Sequence, residues 1–212
     1  MRQNSNYAQL ILCGGEGRRM APAYSQKALA IFNGRPLIEH ALDKQIPQND
    51  AVLISCGPPH SESHSKAPQH AIQTVLDNSP IACKPLNDGS EQHLGPLAGI
   101  LSGLEYCIQH RPDCQYLLVS PVDTPKQPPD LGLQLLNAVH AQGDQIIVSE
   151  CRGRTHPLHS LWPVRAHHSL GRYLDRGERR VMGFIEHFGV QRLAFPDSEA
   201  FRNINSPEDL SS

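Results

Sequence analysis

The run AQLILCGGEGRRM, residues 8–20, passes from strand chemistry to ligand chemistry within a few positions. Residues 8–13 are near-continuously apolar, the pattern of a strand covered on both faces rather than one. Gly14, Gly15 and Gly17 then strip the backbone of side chains, and Arg18 and Arg19 add two guanidiniums. Working outward, similar apolar runs recur at AVLISC (51–56), YLLVS (116–120), QIIVSE (145–150) and VQRLAF (190–195), with a weaker one at IACKPL (81–86).

Helical spacing fills the intervals. Pro36 suits a first helical position, with Leu37, Ile38, Ala41 and Leu42 on one stripe. Pro96 opens a second helix whose Leu97, Ile100, Leu101 and Leu104 share a face. Gly99 and Gly103 on that helix would permit close packing against a sheet. Leu131, Leu135 and Val139 mark a third helix, and Val181, Ile185 and Phe188 a later one. Strands alternating with helices predict an α/β fold: a mainly parallel sheet between helical layers, in three layers overall. Residues 1–212 read as a single domain, since no repeat, low-complexity tract or linker divides them.

Composition narrows the function. Nineteen Lys and Arg against 21 Asp and Glu give a net charge of −2. That balance argues against nucleic acid as a partner and requires a local cluster for any polyanion. No apolar stretch is long enough for a membrane span, and MRQNSNYAQ has no signal-peptide core, so the expected location is cytoplasmic. The six cysteines, Cys13, Cys56, Cys83, Cys107, Cys114 and Cys151, include no CxxC pair and read as reduced, buried small hydrophobes. His60, His64 and His70 in PPHSESHSKAPQH match no compact metal spacing and read as a solvated loop.

In parallel sheets, ligands sit beyond the carboxyl ends of the strands. At the end of the first strand, bare glycine backbone can offer N–H groups to anionic oxygens. Arg18 and Arg19 can fork onto phosphates, and Lys27 adds a compact charge. The implied ligand is a polyphosphate. Walker A is excluded because Ala28 follows Lys27, and the dinucleotide fingerprint because Met20 stands at its third glycine. A plain glycine turn with surface arginines is the alternative at this point.

The chain resembles the nucleotidyltransferase superfamily in its glycine–arginine–methionine loop and following lysine. More narrowly, it is similar to the molybdenum cofactor guanylyltransferase (MobA) family. That likeness extends over LCGGEGRRM (12–20), NGRPLIEHAL (33–42), GPLAGILSGLE (95–105), PVDTPKQPPDL (121–131), HPLHSLWP (156–163), GERRVMGFIEHFG (177–189) and FRNINSPEDL (201–210), in the family's order. It departs in one place. After Arg-Met the family usually continues Gly-Gly-x-Asp-Lys-Gly, whereas this chain has APAYSQKAL, two residues longer, with Gln26 where the aspartate would sit.

The resemblance implies a Rossmann-like sheet of the nucleotide-diphospho-sugar transferase type. It also implies transfer of GMP from GTP to the terminal phosphate of molybdopterin, with release of pyrophosphate. Leu12, Cys13, Gly14, Gly15, Gly17, Arg18, Lys27, Ser55, Asp88 and Asp123 are then expected around the nucleotide. Asp88 could accept from guanine N1–H and amino groups together, or contact ribose or metal. Asp123, ending YLLVSPVD between Pro121 and Pro125, is expected to hold Mg²⁺ by a hard oxygen, with Asn205 as a second metal ligand. Arg19, Lys27 and Asp123 are the expected catalytic set. The acceptor phosphate would attack the α-phosphorus in line, with no protein nucleophile and with positioning and charge neutralisation as the source of rate. His156, Arg179, Arg180 and Asn203 are expected at the acceptor. Ser206, Pro207 and Asp209 read as a helix start. The expected partners are GTP, molybdopterin, and proteins that deliver molybdopterin or mature molybdoenzymes. Two alternatives stay open: a transferase for cytidylyl groups or sugar-phosphate acceptors, and a non-catalytic nucleotide-binding partner of another enzyme.

Overall fold

The structure, a computed structural model, describes residues 6–13, 24, 26–45, 51–56, 67–86, 95–139 and 145–211, with Ser211 and residues 67–70 by backbone alone. Its strands are β1 (Tyr7–Leu12), β2 (Ile31–Phe32), β3 (Arg35–Pro36), β4 (Val52–Ser55), β5 (Cys83–Leu86), β6 (Tyr116–Pro121), β7 (Ile146–Cys151), β8 (Arg154–Pro163) and β9 (Val190–Ala194). The helices are α1 (Leu37–Leu42), α2 (Ala67–Asp77), α3 (Pro96–His110), α4 (Leu131–Asn137), α5 (His167–Asp175) and α6 (Val181–Phe188). Each predicted strand and helix forms. Val139 lies just past the end of α4 and packs partly buried against the same core.

Seven strands make one sheet in the order β5-β4-β1-β6-β8-β7-β9, parallel except for β8, which runs against both β6 and β7. Continuous apolar runs are explained by cover on both faces. Leu10, Leu12, Leu53, Leu117 and Val119 face a layer built by α3, α5 and α6. Ile11, Val52 and Ile54 face α1 and α2, while Leu118, Ile147 and Leu161 face α4. The result is the expected three-layer α/β arrangement. Gly99 and Gly103 let α3 sit down on the sheet: an added Cβ would lie 2.9 Å from Ser55 Cβ at the first and 2.9 Å from Leu117 Cδ2 at the second.

Several elements depart from the sequence expectation. Strand β8 was not foreseen because Arg154–Pro163 carries two histidines and two prolines among its apolar residues. It forms because Arg152 and Gly153, both at positive φ, make a two-residue hairpin from β7. Helix α5 hides only Leu170, Tyr173 and Leu174 among polar neighbours, too sparse a stripe to read. Helix α2 begins at Ala67, so His70 is helical rather than part of a loop; His60 and His64 lie outside the described residues. Pro36 stands one position earlier than predicted, as the residue before α1. Asn33 and Gly34, at φ 48° and 81°, turn a short ribbon that pairs Pro36 with Ile31. All six cysteines are free, four of them buried and Cys56 and Cys83 half-buried. Among the described residues no helix is long and apolar enough to cross a membrane.

Candidate nucleotide-transfer site

The chain leaves β1 toward β4 on one side, whereas it leaves β6 toward β7 on the other. The crevice between the carboxyl ends of β1 and β6 is therefore a topological switch point, where open α/β sheets bind ligands. Pairing continues one residue past each strand: Cys13 N–H donates to Ser55 O at 2.8 Å, and Val122 N–H to Leu12 O at 3.1 Å. Asp123 is the first residue of its strand beyond that register. Its carbonyl accepts from Ile204 N–H at 2.8 Å, which lays the C-terminal segment along the same edge.

Lys27 reaches this point from a single 3₁₀ turn, Lys27–Leu29, closed by Leu29 N–H to Gln26 O and Ala30 N–H to Lys27 O. Ala28 and Ala30 are wholly buried among Ile11, Cys13, Val122 and Ile204, which anchors the turn and leaves the Lys27 side chain to span the crevice. Lys27 Nζ donates to Asp123 Oδ2 at 2.5 Å and to Asn205 Oδ1 at 2.8 Å. Both charged side chains retain only 15% of their exposure.

Asp123 and Asn205 are oriented in turn. The Thr124 hydroxyl lies 3.3 Å from Asp123 Oδ1 and 3.4 Å from Asn203 Oδ1, able to donate to either. Asp209 Oδ2 accepts from Asn205 N–H, Ser206 N–H and the Ser206 hydroxyl at 2.9–3.1 Å. The backbone bond from Asn205 is the leading reason the Asp209 carboxyl sits below its ordinary range. The predicted helix start at Ser206–Asp209 is present, although it opens a 3₁₀ helix, Pro207–Ser211. Thr124 carried no role in the sequence reading; a hydroxyl directly after Asp123 and between prolines was the available signal.

The other predicted residues fall in distinct places. Leu12 packs under α3, close to Gly99, and Cys13 lies in the opposite layer with Ala28 and Val122. Burial, reinforced by Cys56, Cys83 and Asp123, pushes the Cys13 thiol well above its ordinary range, so it is a wall rather than a nucleophile. Ser55 is buried with its side chain directed at Gly99, beneath α3. Gly14, Gly15, Gly17, Arg18, Arg19 and Asp88 lie outside the described residues. Arg179 NH1 donates to Leu174 O and Glu178 O, both at 2.7 Å, and so closes the end of α5. Arg180 is exposed and stands before α6, its carbonyl accepting from the Tyr173 hydroxyl at 3.1 Å.

His156 stacks on Phe201, ring centroids 4.5 Å apart, two residues before Asn203. His159, edge-on to both rings, is fully enclosed, and its Nε2 has no hydrogen-bond partner. Burial, then the neighbouring His156, lowers its pKa to about 3. Burial and Arg154 also lower that of His156. Both rings are therefore neutral near pH 7. Among the described residues no cluster of three or more His, Cys, Asp or Glu could hold a metal; Asp123 and Asn205 together offer two oxygens.

A switch-point crevice carrying a lysine, a carboxylate and two asparagines belongs to a nucleotidyltransferase fold, and solved structures agree. The chain superposes on the molybdopterin-guanine dinucleotide biosynthesis protein A of Archaeoglobus fulgidus with a TM-score of 0.70 at 20% identity, covering 96% of this chain and 95% of that one. It superposes on the 4-diphosphocytidyl-2C-methyl-D-erythritol synthase of Anaerococcus prevotii with a TM-score of 0.73 at 13% identity, covering 99% and 95%. These two likenesses concern the fold. The MobA-like NTP transferase domain model matches residues 9–189, and this chain belongs to that family. Similar proteins named molybdenum cofactor guanylyltransferase include one from Cereibacter sphaeroides, 37% identical over 95% of this chain and 92% of its own length. Another, from Acidiphilium cryptum, is 36% identical over 97% and 93%.

Proposed function

We propose that this chain transfers GMP from GTP to the terminal phosphate of molybdopterin, releasing pyrophosphate, with Mg²⁺ as its cofactor. The observation that carries the reading is the convergence of Lys27, Asp123 and Asn205 at the switch point, in a chain whose relatives bear the name of that activity. The donor set fits a divalent cation. Asp123 Oδ2 and Asn205 Oδ1 are hard oxygens that already converge on one positive nitrogen, and phosphate and water oxygens would complete the shell. When bound, the ion supplies neutralising charge to the α-phosphate and pyrophosphate oxygens.

The chain's own residues do the rest. Lys27 donates to the departing pyrophosphate, where a preorganised ammonium counts most as charge develops. Arg19 and the N–H groups of residues 15–17 share that load on the strength of the family resemblance. Thr124 and Asp209 hold Asp123 and Asn205 in place. An ionised acceptor phosphate is nucleophilic without a base, so in-line positioning suffices. Asn203 adjoins the cluster through the Thr124 hydroxyl, and His156, neutral and stacked on Phe201 two residues away, is the ring we assign to the acceptor pterin. Arg180, exposed before α6, keeps its proposed role toward the acceptor phosphate, whereas Arg179 takes it only by releasing the α5 carbonyls.

Pyrophosphate release with molybdopterin, Mg²⁺ and each nucleoside triphosphate in turn tests the proposal. GTP alone should support turnover, and Asp123→Ala should abolish it without altering the circular dichroism spectrum. Equal use of CTP, or GTP binding with no release, would replace this reading by one of the two alternatives.

A further inference from the structure

Lys27 Nζ stands between the two oxygens that the proposed function gives to a divalent cation, within hydrogen-bond distance of both. The carboxylate is thereby already neutralised, in a crevice that excludes most solvent. A dication arriving at Asp123 Oδ2 meets an ammonium at contact distance, and the repulsion between two like charges that close makes them compete for the same carboxylate oxygen. The backbone at Lys27 is pinned by its 3₁₀ turn and the buried Ala28, so only the flexible four-carbon stem can give way.

We propose that Lys27 is the resident counter-ion of the cation site. Ammonium and divalent cation occupy Asp123–Asn205 alternately, and the phosphates of the nucleotide draw Lys27 out as the divalent cation enters. The inference rests on the proposed function. Lys27 thereby couples the two ligands: nucleotide raises the affinity for the cation, and by linkage the cation raises that for nucleotide. A bare cation is held off, which prevents the site from being filled ahead of its substrate.

Mn²⁺ is the probe, titrated into the full chain without nucleotide and followed by electron paramagnetic resonance of the free ion. Lys27→Met keeps the stem and removes the charge. It should tighten Mn²⁺ binding by about fivefold, the upper end of the scale set by losing one partly screened ion pair. Lys27→Gln serves as a second variant, and Asp123→Asn should abolish the binding in each background. In the wild-type chain, Mn²⁺ raised until it fills the site should increase reductive methylation of Lys27, read by mass spectrometry, because the ammonium has then been displaced. Asp123-dependent binding of equal strength in wild type and both Lys27 variants would overturn the counter-ion inference while leaving the metal reading intact. Absence of any Asp123-dependent binding would remove both.

Discussion

Acidification should destabilise this protein through His159. The side chain is enclosed by His156 and Phe201, its Nε2 makes no hydrogen bond, and its pKa falls to about 3 from an ordinary 6.5. Between those values the unfolded chain binds a proton that the folded chain refuses, so stability rises with pH across the interval. The contribution is complete above the unfolded pKa and drains away as pH falls from there toward 3. From pH 7 to pH 5 the unfolded histidine goes from mostly neutral to almost wholly charged, a cost of about 2 kcal/mol. For a chain of this length it corresponds to roughly 4–8 °C in melting temperature. The assay is urea denaturation at both pH values for wild type and His159→Leu, which removes the titrating ring and the unpaired nitrogen. The wild type should lose about 2 kcal/mol more than the variant over that range. Identical pH slopes would refute the reasoning and mean that the folded protein admits a proton at His159.

Lys27→Ala should lower the rate of pyrophosphate release at saturating GTP by about 10²-fold, the loss expected for one preorganised charge donor. An unchanged rate would mean that the lengthened loop brings another cation to the pyrophosphate. Gly99→Ala should destabilise the fold by about 1–3 kcal/mol in denaturant titration, since its methyl meets Ser55 and Leu12 at 3.0 Å or less. Asp209→Ala removes the acceptor for Asn205 N–H, Ser206 N–H and the Ser206 hydroxyl. It should cost about 1 kcal/mol as a lost cap and also slow turnover by loosening Asn205. Cys13, buried with a raised pKa, should react with a thiol reagent only after denaturant is added, more slowly than half-buried Cys56.

Apolar runs made the sheet legible because β1, β4, β6 and β7 lie between helices, and burial on two faces writes itself as continuous hydrophobicity. Strand β8 escaped the same logic. Its N-terminal half, from Arg154 to Leu158, is not buried, and its pairing with β7 shifts register between Val148 and Ser149. Lys27 and Asp123 could be named from residue type and position, Asn205 from the family resemblance, and they do meet. Their meeting through a single ammonium could not be read, because it depends on side-chain reach across the crevice. Ser55 shows the converse limit: position placed it at a strand end, but the glycine at 99 decides which way its side chain turns. Arg179 is similar. A basic residue in GERRV suggests a phosphate, yet the nearest oxygens are the carbonyls closing α5.

Lys27 is separated from Asp123 by 96 positions and from Asn205 by 178. A growing polypeptide therefore cannot assemble these three groups until Asn205 has left the ribosome, and a chain halted before that residue would build most of the sheet without the full triad. Catalytic competence would thus follow the scaffold, and would certify that the segment around Asn205 had docked.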